Sequence, residues 1–306
     1  MISSYNEYDN LKKIIVGDAT HANWPVYDKV FRAEEQNTLW KETPLPSGPV
    51  PQWIIDETNE DLHTLCATLT KYGVEVVRPD TMNFQVHDGL YNYCPRDRFI
   101  VHGGTMIDTA MMYPCRDMEY QCYMDFLEDA DRVLHMPRNK GMVLDAANIL
   151  RVEKDKWLFL ESASGNKAAY DWLCKELPDV EIELCNFYAG VHIDSTIVAL
   201  NKDTILINGS RVTTDTLPNM LKDKELIFVN EVEPQGFHEY PYASKWIALN
   251  MLSINPTTVV VDAKQELLIK TLESLKFTVI PLTLRHSRTL GGGFHCVTLD
   301  LIRGGE

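Results

Sequence analysis

Positive charge is scarce in this sequence: 29 lysines and arginines stand against 44 aspartates and glutamates, a formal charge of −15 over 306 residues. Such a chain has little with which to neutralise a row of phosphates, which excludes nucleic acid as a general partner. Acidity suits a cationic small-molecule substrate, although it more often serves solubility. Long apolar runs are missing too. None approaches the ~20 residues that a membrane span needs, so an integral membrane protein is excluded. Met1–Glu7 (MISSYNE) has neither a secretory apolar core nor an Arg-rich transit pattern. Seven cysteines, an odd number without a C-x-x-C pair, build neither a disulfide framework nor a zinc knuckle. The expectation is a cytoplasmic, reduced protein that uses no metal or organic cofactor. What is present is an ordinary globular composition, 45% hydrophobic and 24% charged.

Strand-like and helix-like runs alternate along the whole chain. Leu11–Gly17 (LKKIIVG) reads as a first strand closed by glycine. Pro25, Pro44, Pro46, Pro49 and Pro51 make the next stretch too proline-dense for a regular element. Asp61–Lys71 then places Leu62, Leu65, Ala67 and Leu69 on a helix-like face, Gly73 stops it, and Val74–Arg78 is a strand. The same unit recurs at Ala168–Leu177 with Val180–Leu184, and at Lys264–Lys276 with Phe277–Pro281. Hairpin-like pairs lie between: Arg98–His102 with Met106–Thr109, Asn148–Val152 with Trp157–Glu161, and Ser195–Leu200 with Thr204–Asn208. A hairpin, a helix and a further strand thus repeat in architecture without a strict residue repeat. Length alone allows two domains, but no linker divides the chain. The reading is one α/β domain over residues 1–306, with mixed sheets around a centre and helices outside.

Four short segments carry ionisable groups beside the expected strands: Cys94–Asp97, Leu144–Asn148, His192–Asp194 and Gly291–Cys296. Cys296, just past a triple glycine, is either a nucleophile ionised by local positive charge or a small buried hydrophobe. His295 is its neighbour, and alternation along a strand would turn it to the opposite face. His192 and Asp194, at i and i+2, would share one face of a strand. They could be an acid–base histidine with a carboxylate, two metal ligands, or a satisfied core pair. Asp97 and Asp145 are catalytic carboxylates or simple turn residues, and Arg211 is a carboxylate anchor or a surface residue. One substrate would unite them. A guanidinium is planar, permanently charged and bound bidentately by carboxylates. Asp97, Asp145 and Asp194 could hold it while Cys296 attacks its carbon and His192 protonates the departing amine.

Ser3-Ser4-Tyr5-Asn6-Glu7, Pro95-Arg96-Asp97, Asp145-Ala146-Ala147, His192-Ile193-Asp194, Ser244-Lys245-Trp246 and Gly291–Cys296 (GGGFHC) together resemble the arginine:glycine amidinotransferase family. They occur in that family's order and span nearly the whole chain. The resemblance implies the pentein fold, five ββαβ-type modules in a pseudo-fivefold α/β propeller. It implies Cys296 as nucleophile, His192 as acid–base and Asp145 completing the triad. Asp97 and Asp194 become guanidinium ligands, and Tyr91, Arg211 and Ser244 hold the substrate's carboxylate. The implied reaction moves the amidino group of L-arginine to a primary amine, with glycine as the default acceptor and guanidinoacetate and ornithine as products. Its rivals are another acceptor (an aminocyclitol or a diamino acid), hydrolysis of the arginine deiminase type, an arginine-binding protein without turnover, and a metal-dependent hydrolase on His192 and Asp194. Partners are limited to the small-molecule substrates and, at most, a second copy in a homodimer. Asn148 replaces a second aspartate of the mammalian enzyme, Ala189 and Gly190 replace an asparagine and a proline, and the segments between Asp97 and Asp145 are shorter. In those respects the chain is similar to bacterial amidinotransferases that modify aminocyclitols.

Overall fold

Apolar runs bounded by turn residues set the pattern of the computed structural model, which describes residues 1–37 and 41–304. First come β1 (Leu11–Val16), β2 (Asn23–Trp24), α1 (Lys29–Gln36), β3 (Gly48–Pro49), α2 (Gln52–Lys71) and β4 (Glu75–Val77). β5 (Phe99–His102), β6 (Thr105–Asp108), α3 (Met124–Glu128) and β7 (Arg132–His135) follow. The order returns in β8 (Ile149–Glu153), β9 (Lys156–Leu160), α4 (Lys167–Glu176) and β10 (Glu181–Cys185). Next are β11 (Ile197–Ala199), β12 (Thr204–Asn208) and β13 (Glu225–Val229). The last stretch holds β14 (Leu252–Asn255), β15 (Thr258–Asp262), α5 (Glu266–Ser274), β16 (Thr278–Leu282), α6 (Ser287–Leu290) and β17 (Thr298–Arg303).

Five three-stranded sheets result, each an antiparallel hairpin whose second strand also takes a parallel third strand. They are β5-β6-β7, β8-β9-β10, β11-β12-β13, β14-β15-β16 and β17-β1-β4. The fifth is assembled from both ends of the sequence, β17 running antiparallel to β1 and β4 parallel to it. These are the ββαβ modules of a pentein fold. The middle strands β9, β12 and β15 (KWLFL, TILIN, TVVVD) are nearly continuous apolar runs because both of their faces are covered. A parallel third strand needs a crossover, and α2, α4 and α5 supply it with buried faces of Leu62, Leu65 and Leu69, of Ala169 and Leu173, and of Leu268 and Leu272. Asn166 caps α4 by accepting from Ala169 N at 3.0 Å, a contact typically worth ~1 kcal/mol.

Two expectations need correction here. The second helix starts at Gln52, well before Asp61, because Pro51 stands at its threshold, where a missing N–H costs nothing. Ala67 faces solvent rather than the core. Between β12 and β13 the crossover holds only a single 3₁₀ turn, Asn219–Leu221. Among the described residues, no helix is long and apolar enough to cross a membrane.

At the hub where the modules meet lies a buried ionic network. Arg151 contacts Glu7 at 2.8 Å and Asp300 at 2.7 Å, Arg96 reaches Asp300 at 2.5 Å, and Ser4 Oγ donates to Asp300 at 2.5 Å. Burial raises the Glu7 carboxyl, but Arg151, the His295 bond and Arg96 outweigh it and hold it well below the carboxylate range. The segment Ser3–Glu7 therefore ties the first residues to β8 and β17. Removing one member would strand the others without partners, typically a loss of 3–5 kcal/mol.

Candidate active site

Every module enters its first strand through a tight turn, and those five turns face one cavity. Short 3₁₀ segments precede β5 (Pro95–Asp97), β8 (Ala146–Asn148) and β14 (Lys245–Leu249). Before β11 and β17 the turns are closed by Thr196 N donating to Ile193 O at 2.8 Å and Thr298 N donating to His295 O at 3.1 Å. The cavity is about 320 Å³, and Tyr91, Asp97, Asp145, His192, Asp194, Arg211, Ser244 and Cys296 all line it. The sequence-predicted set is thus brought together in full, drawn from all five modules.

His192 does not lie on a strand. Its φ is +59°, a left-handed conformation that costs a residue with a Cβ about 1–2 kcal/mol. Asn148 holds it there: its Oδ1 accepts from His192 N at 2.8 Å, while its Nδ2 donates to Ser162 Oγ at 2.9 Å and Leu160 O at 3.2 Å. The residue that looked like a change in the charge count is thus a strut for the histidine. The His192 ring meets Asp145 Oδ2 through Nε2 at 3.0 Å, and its Nδ1 stands 3.8 Å from Asp97 Oδ1. Burial opposes its charge, but Asp97 and the bond to Asp145 prevail and raise its pKa well above the ordinary histidine value. Asp145 is aimed by Met112 N, which donates to its other oxygen at 2.8 Å.

The shared strand face expected for His192 and Asp194 is not formed. Asp194 turns instead to His295 Nδ1 at 2.8 Å and to the Cys296 sulfur at 3.3 Å. His295 continues to Glu7 at 3.2 Å, so the opposite-face expectation for His295 and Cys296 also fails. Both residues sit in the turn before β17, where alternation does not apply. Cys296 is 1% exposed, and Asn250 Oδ1 accepts from its backbone N–H at 2.9 Å. A hydrogen bond to Cys94, burial and the Asp194 charge hold its thiol pKa well above the ordinary value. The ligand atoms of Asp97, His192 and Cys296 lie within 4.8 Å of one another. The turn has to pass closely: a Cβ on Gly292 would come 2.5 Å from Cys94 Sγ, and one on Gly293 would come 2.9 Å from Asn250 O.

At the other wall Arg211 donates to Thr196 Oγ1 at 2.7 Å, Ser195 Oγ at 3.3 Å and Ser244 Oγ at 3.2 Å, and it stacks 4.0 Å over the Tyr188 ring. It has no carboxylate in ion-pair range among the described residues. Tyr91 lines the cavity with its ring, but its hydroxyl donates to Leu290 O at 2.8 Å. That proton is committed to the fold, which leaves the expected carboxylate contact to Arg211 and Ser244.

Sequence reasoning missed Arg116, Asn250 and Glu35. Arg116 is buried, pairs with Glu119 and Asp97 at 2.7 Å each, and leaves the second Asp97 oxygen without a hydrogen bond. Burial raises the Asp97 carboxyl pKa against the pull of His192 and Arg116. Glu35, on α1, accepts from Tyr113 at 2.6 Å and lines the same cavity. Burial pushes its pKa up to about 7, even though the Tyr113 and Tyr240 bonds oppose the shift. Only the Arg116-x-x-Glu119 spacing was visible in advance, and it is common on any helical surface.

No family model matches the chain. It is 38% identical to inosamine-phosphate amidinotransferase 1 of Streptomyces griseus over 338 residues, covering 99% of this chain and 97% of that protein. The solved structure of the inosamine-phosphate amidinotransferase of Streptomyces griseus superposes with a TM-score of 0.93, covering 100% of this chain and 98% of that one. The mitochondrial glycine amidinotransferase of Xenopus tropicalis is 26% identical over 355 residues, covering 99% of this chain and 83% of that protein.

Proposed function

The chain belongs to the amidinotransferase family, and on that premise we propose that it moves the amidino group of L-arginine to an aminocyclitol-type amine, through a covalent adduct on Cys296. The observation that carries this reading is the division of the cavity. Thiol, imidazole and carboxylates converge at one end, and a guanidinium without a carboxylate partner stands at the other. Free arginine has the complementary pair of ends.

Arginine enters with its guanidinium against Asp97 and Asp194 and its carboxylate on Arg211 and Ser244. Its positive charge offsets the two aspartates that disfavour the thiolate, so binding itself helps to ionise Cys296. The thiolate attacks the guanidinium carbon. His192, kept protonated by Asp97 and Asp145, gives a proton to the ornithine nitrogen as the C–N bond breaks. The amino group of the acceptor then loses a proton to His192 and attacks the amidino carbon, and the sulfur leaves. All proton and group transfers are carried by side chains of this chain.

Glycine, the acceptor expected from the family resemblance, is the weaker reading. The relative named for inosamine phosphate is more similar to this chain than the one named for glycine. Incubation with arginine and a panel of amines, following ornithine and the new guanidino compound by mass spectrometry, tests the reading. An inosamine or its phosphate should outpace glycine. Glycine as the preferred amine would overturn the choice of acceptor, and citrulline without any amine would make the enzyme a hydrolase.

A further inference from the structure

The two half-reactions use one cavity in turn, and that cavity offers few cations. Five carboxylates line it (Glu34, Glu35, Asp97, Asp145 and Asp194) against two arginines. Arg116 is saturated: Glu119 takes two of its hydrogen bonds, Asp97 a third and Cys94 O a fourth. Arg211 alone keeps a planar guanidinium whose bonds end on hydroxyls, held flat by Tyr188. Neutral hydroxyls do not offset its charge, so an anion from outside is its natural partner.

Its place along the cavity is fixed by the chain. Arg211 is tied to Ser195 and Thr196, one and two residues beyond Asp194, and Asp194 touches the Cys296 sulfur. Two residues of chain span at most about 7 Å. The donor fits that interval, because six bonds separate the guanidinium carbon of arginine from its carboxylate carbon. When ornithine leaves, Arg211 is exposed again beside the amidino-cysteine, in a cavity otherwise rich in negative charge.

We infer that Arg211 serves both substrates, and that the acceptor must carry an anionic group about as far from its attacking amine as ornithine's carboxylate is from its side-chain nitrogen. The inference rests on the arginine-donor reading above. Once glycine attacks, only three bonds separate the amidino carbon from its carboxylate carbon, so it cannot reach Arg211 and leaves that charge unanswered. A ring amine with a phosphate across the ring meets the requirement, and so does an unbranched ω-amino acid of the right length. The acceptor class is therefore set by span and charge together, and the ring of an aminocyclitol is one way to provide the span.

The test begins with amidino-enzyme prepared from arginine and freed of ornithine. Its decay is followed with glycine, β-alanine, 4-aminobutyrate, 5-aminopentanoate and 7-aminoheptanoate, each at the same low concentration. Attack should rise at least tenfold from glycine to 5-aminopentanoate, which is ornithine without its α-amino group, and fall again at 7-aminoheptanoate. An inosamine phosphate should likewise exceed the unphosphorylated inosamine at least tenfold. Arg211→Gln should flatten the length series, with amidino-enzyme of the variant made at high arginine. A flat series in the native protein, or a maximum at glycine, overturns the inference while leaving the donor reading intact. Absence of any ornithine release from arginine overturns the donor reading itself, and the inference falls with it.

Discussion

Cys296 and His295, consecutive in sequence, meet the same oxygen of Asp194, at 3.3 Å from the sulfur and 2.8 Å from Nδ1. One carboxylate thereby couples the thiol to the buried ionic hub through His295 and Glu7. Burial raises the Asp194 carboxyl, but the His295 bond and charge bring it below the usual aspartate value, so it stays ionised beside the sulfur.

Asp194→Asn should therefore lower the thiol pKa of the empty enzyme. The negative charge that opposes the thiolate is gone, and iodoacetamide should label Cys296 faster at pH 7.5 than in the native protein. Peptide mapping over a pH series measures this. Equal or slower labelling would mean that the Cys94 bond and burial alone set the thiol.

Arginine without an acceptor should leave one amidino group on the peptide containing Cys296, seen by mass spectrometry after acid quench. Cys296→Ala should show neither the adduct nor ornithine release. Turnover by that variant would falsify the covalent route.

The two histidines should separate cleanly. His192→Asn should abolish ornithine release while arginine binding changes only a few fold, since the aspartates and Arg211 supply the affinity. His295→Asn should instead weaken folding by ~1–3 kcal/mol, because Asp194 and Glu7 each lose a buried bond, and should slow turnover through a misplaced Asp194. Urea unfolding and turnover of both variants are the measurements. An active His192→Asn protein beside a well-folded, dead His295→Asn protein would reverse the roles.

Asp97→Asn should raise the arginine dissociation constant about tenfold or more, as a charged hydrogen bond worth ~1.5–3 kcal/mol is lost. Titration calorimetry in a Cys296→Ala background avoids turnover. An unchanged constant would leave Asp97 only its bond to Arg116.

Glu35 predicts a pH signature in stability. Its folded pKa, about 7, lies above the model value of 4.5, so the native state holds a proton that the unfolded chain gives up. Stability should fall as pH rises from about 4.5 through about 7, by on the order of 3 kcal/mol from this group. Glu35→Gln should lack that slope, and the difference between the two proteins in urea midpoints across this range isolates it. Parallel profiles would show that Glu35 is ionised in the folded state throughout.

Much of the architecture was legible because it rests on local patterns. Uninterrupted apolar runs marked the middle strands, and Gly73, with φ +80°, marked the end of α2 as its missing Cβ suggested. The residues that look chemical were legible by type and motif. Their geometry was not. His192 sits at positive φ because Asn148, 44 residues away, holds its backbone, and no period along the chain encodes that. His295 and Cys296 escape strand alternation because β17 begins only at Thr298. Arg116 gave no signal, since the partner that ties it to the site, Asp97, comes from another module. Tyr91 was placed correctly at the cavity and assigned too much, because its bond to Leu290 spans 199 positions of sequence.

The pairing of β17 with β1 has a consequence for how the protein is made. During synthesis the carboxylates of Asp97, Asp145 and Asp194 and the imidazole of His192 leave the ribosome long before Cys296 does, and β1 must wait, unpaired on one edge, for the last strand to emerge. A truncated or stalled chain can therefore display the acidic half of the pocket yet form no bond to arginine. Chemical competence arrives with ring closure, as a single late event.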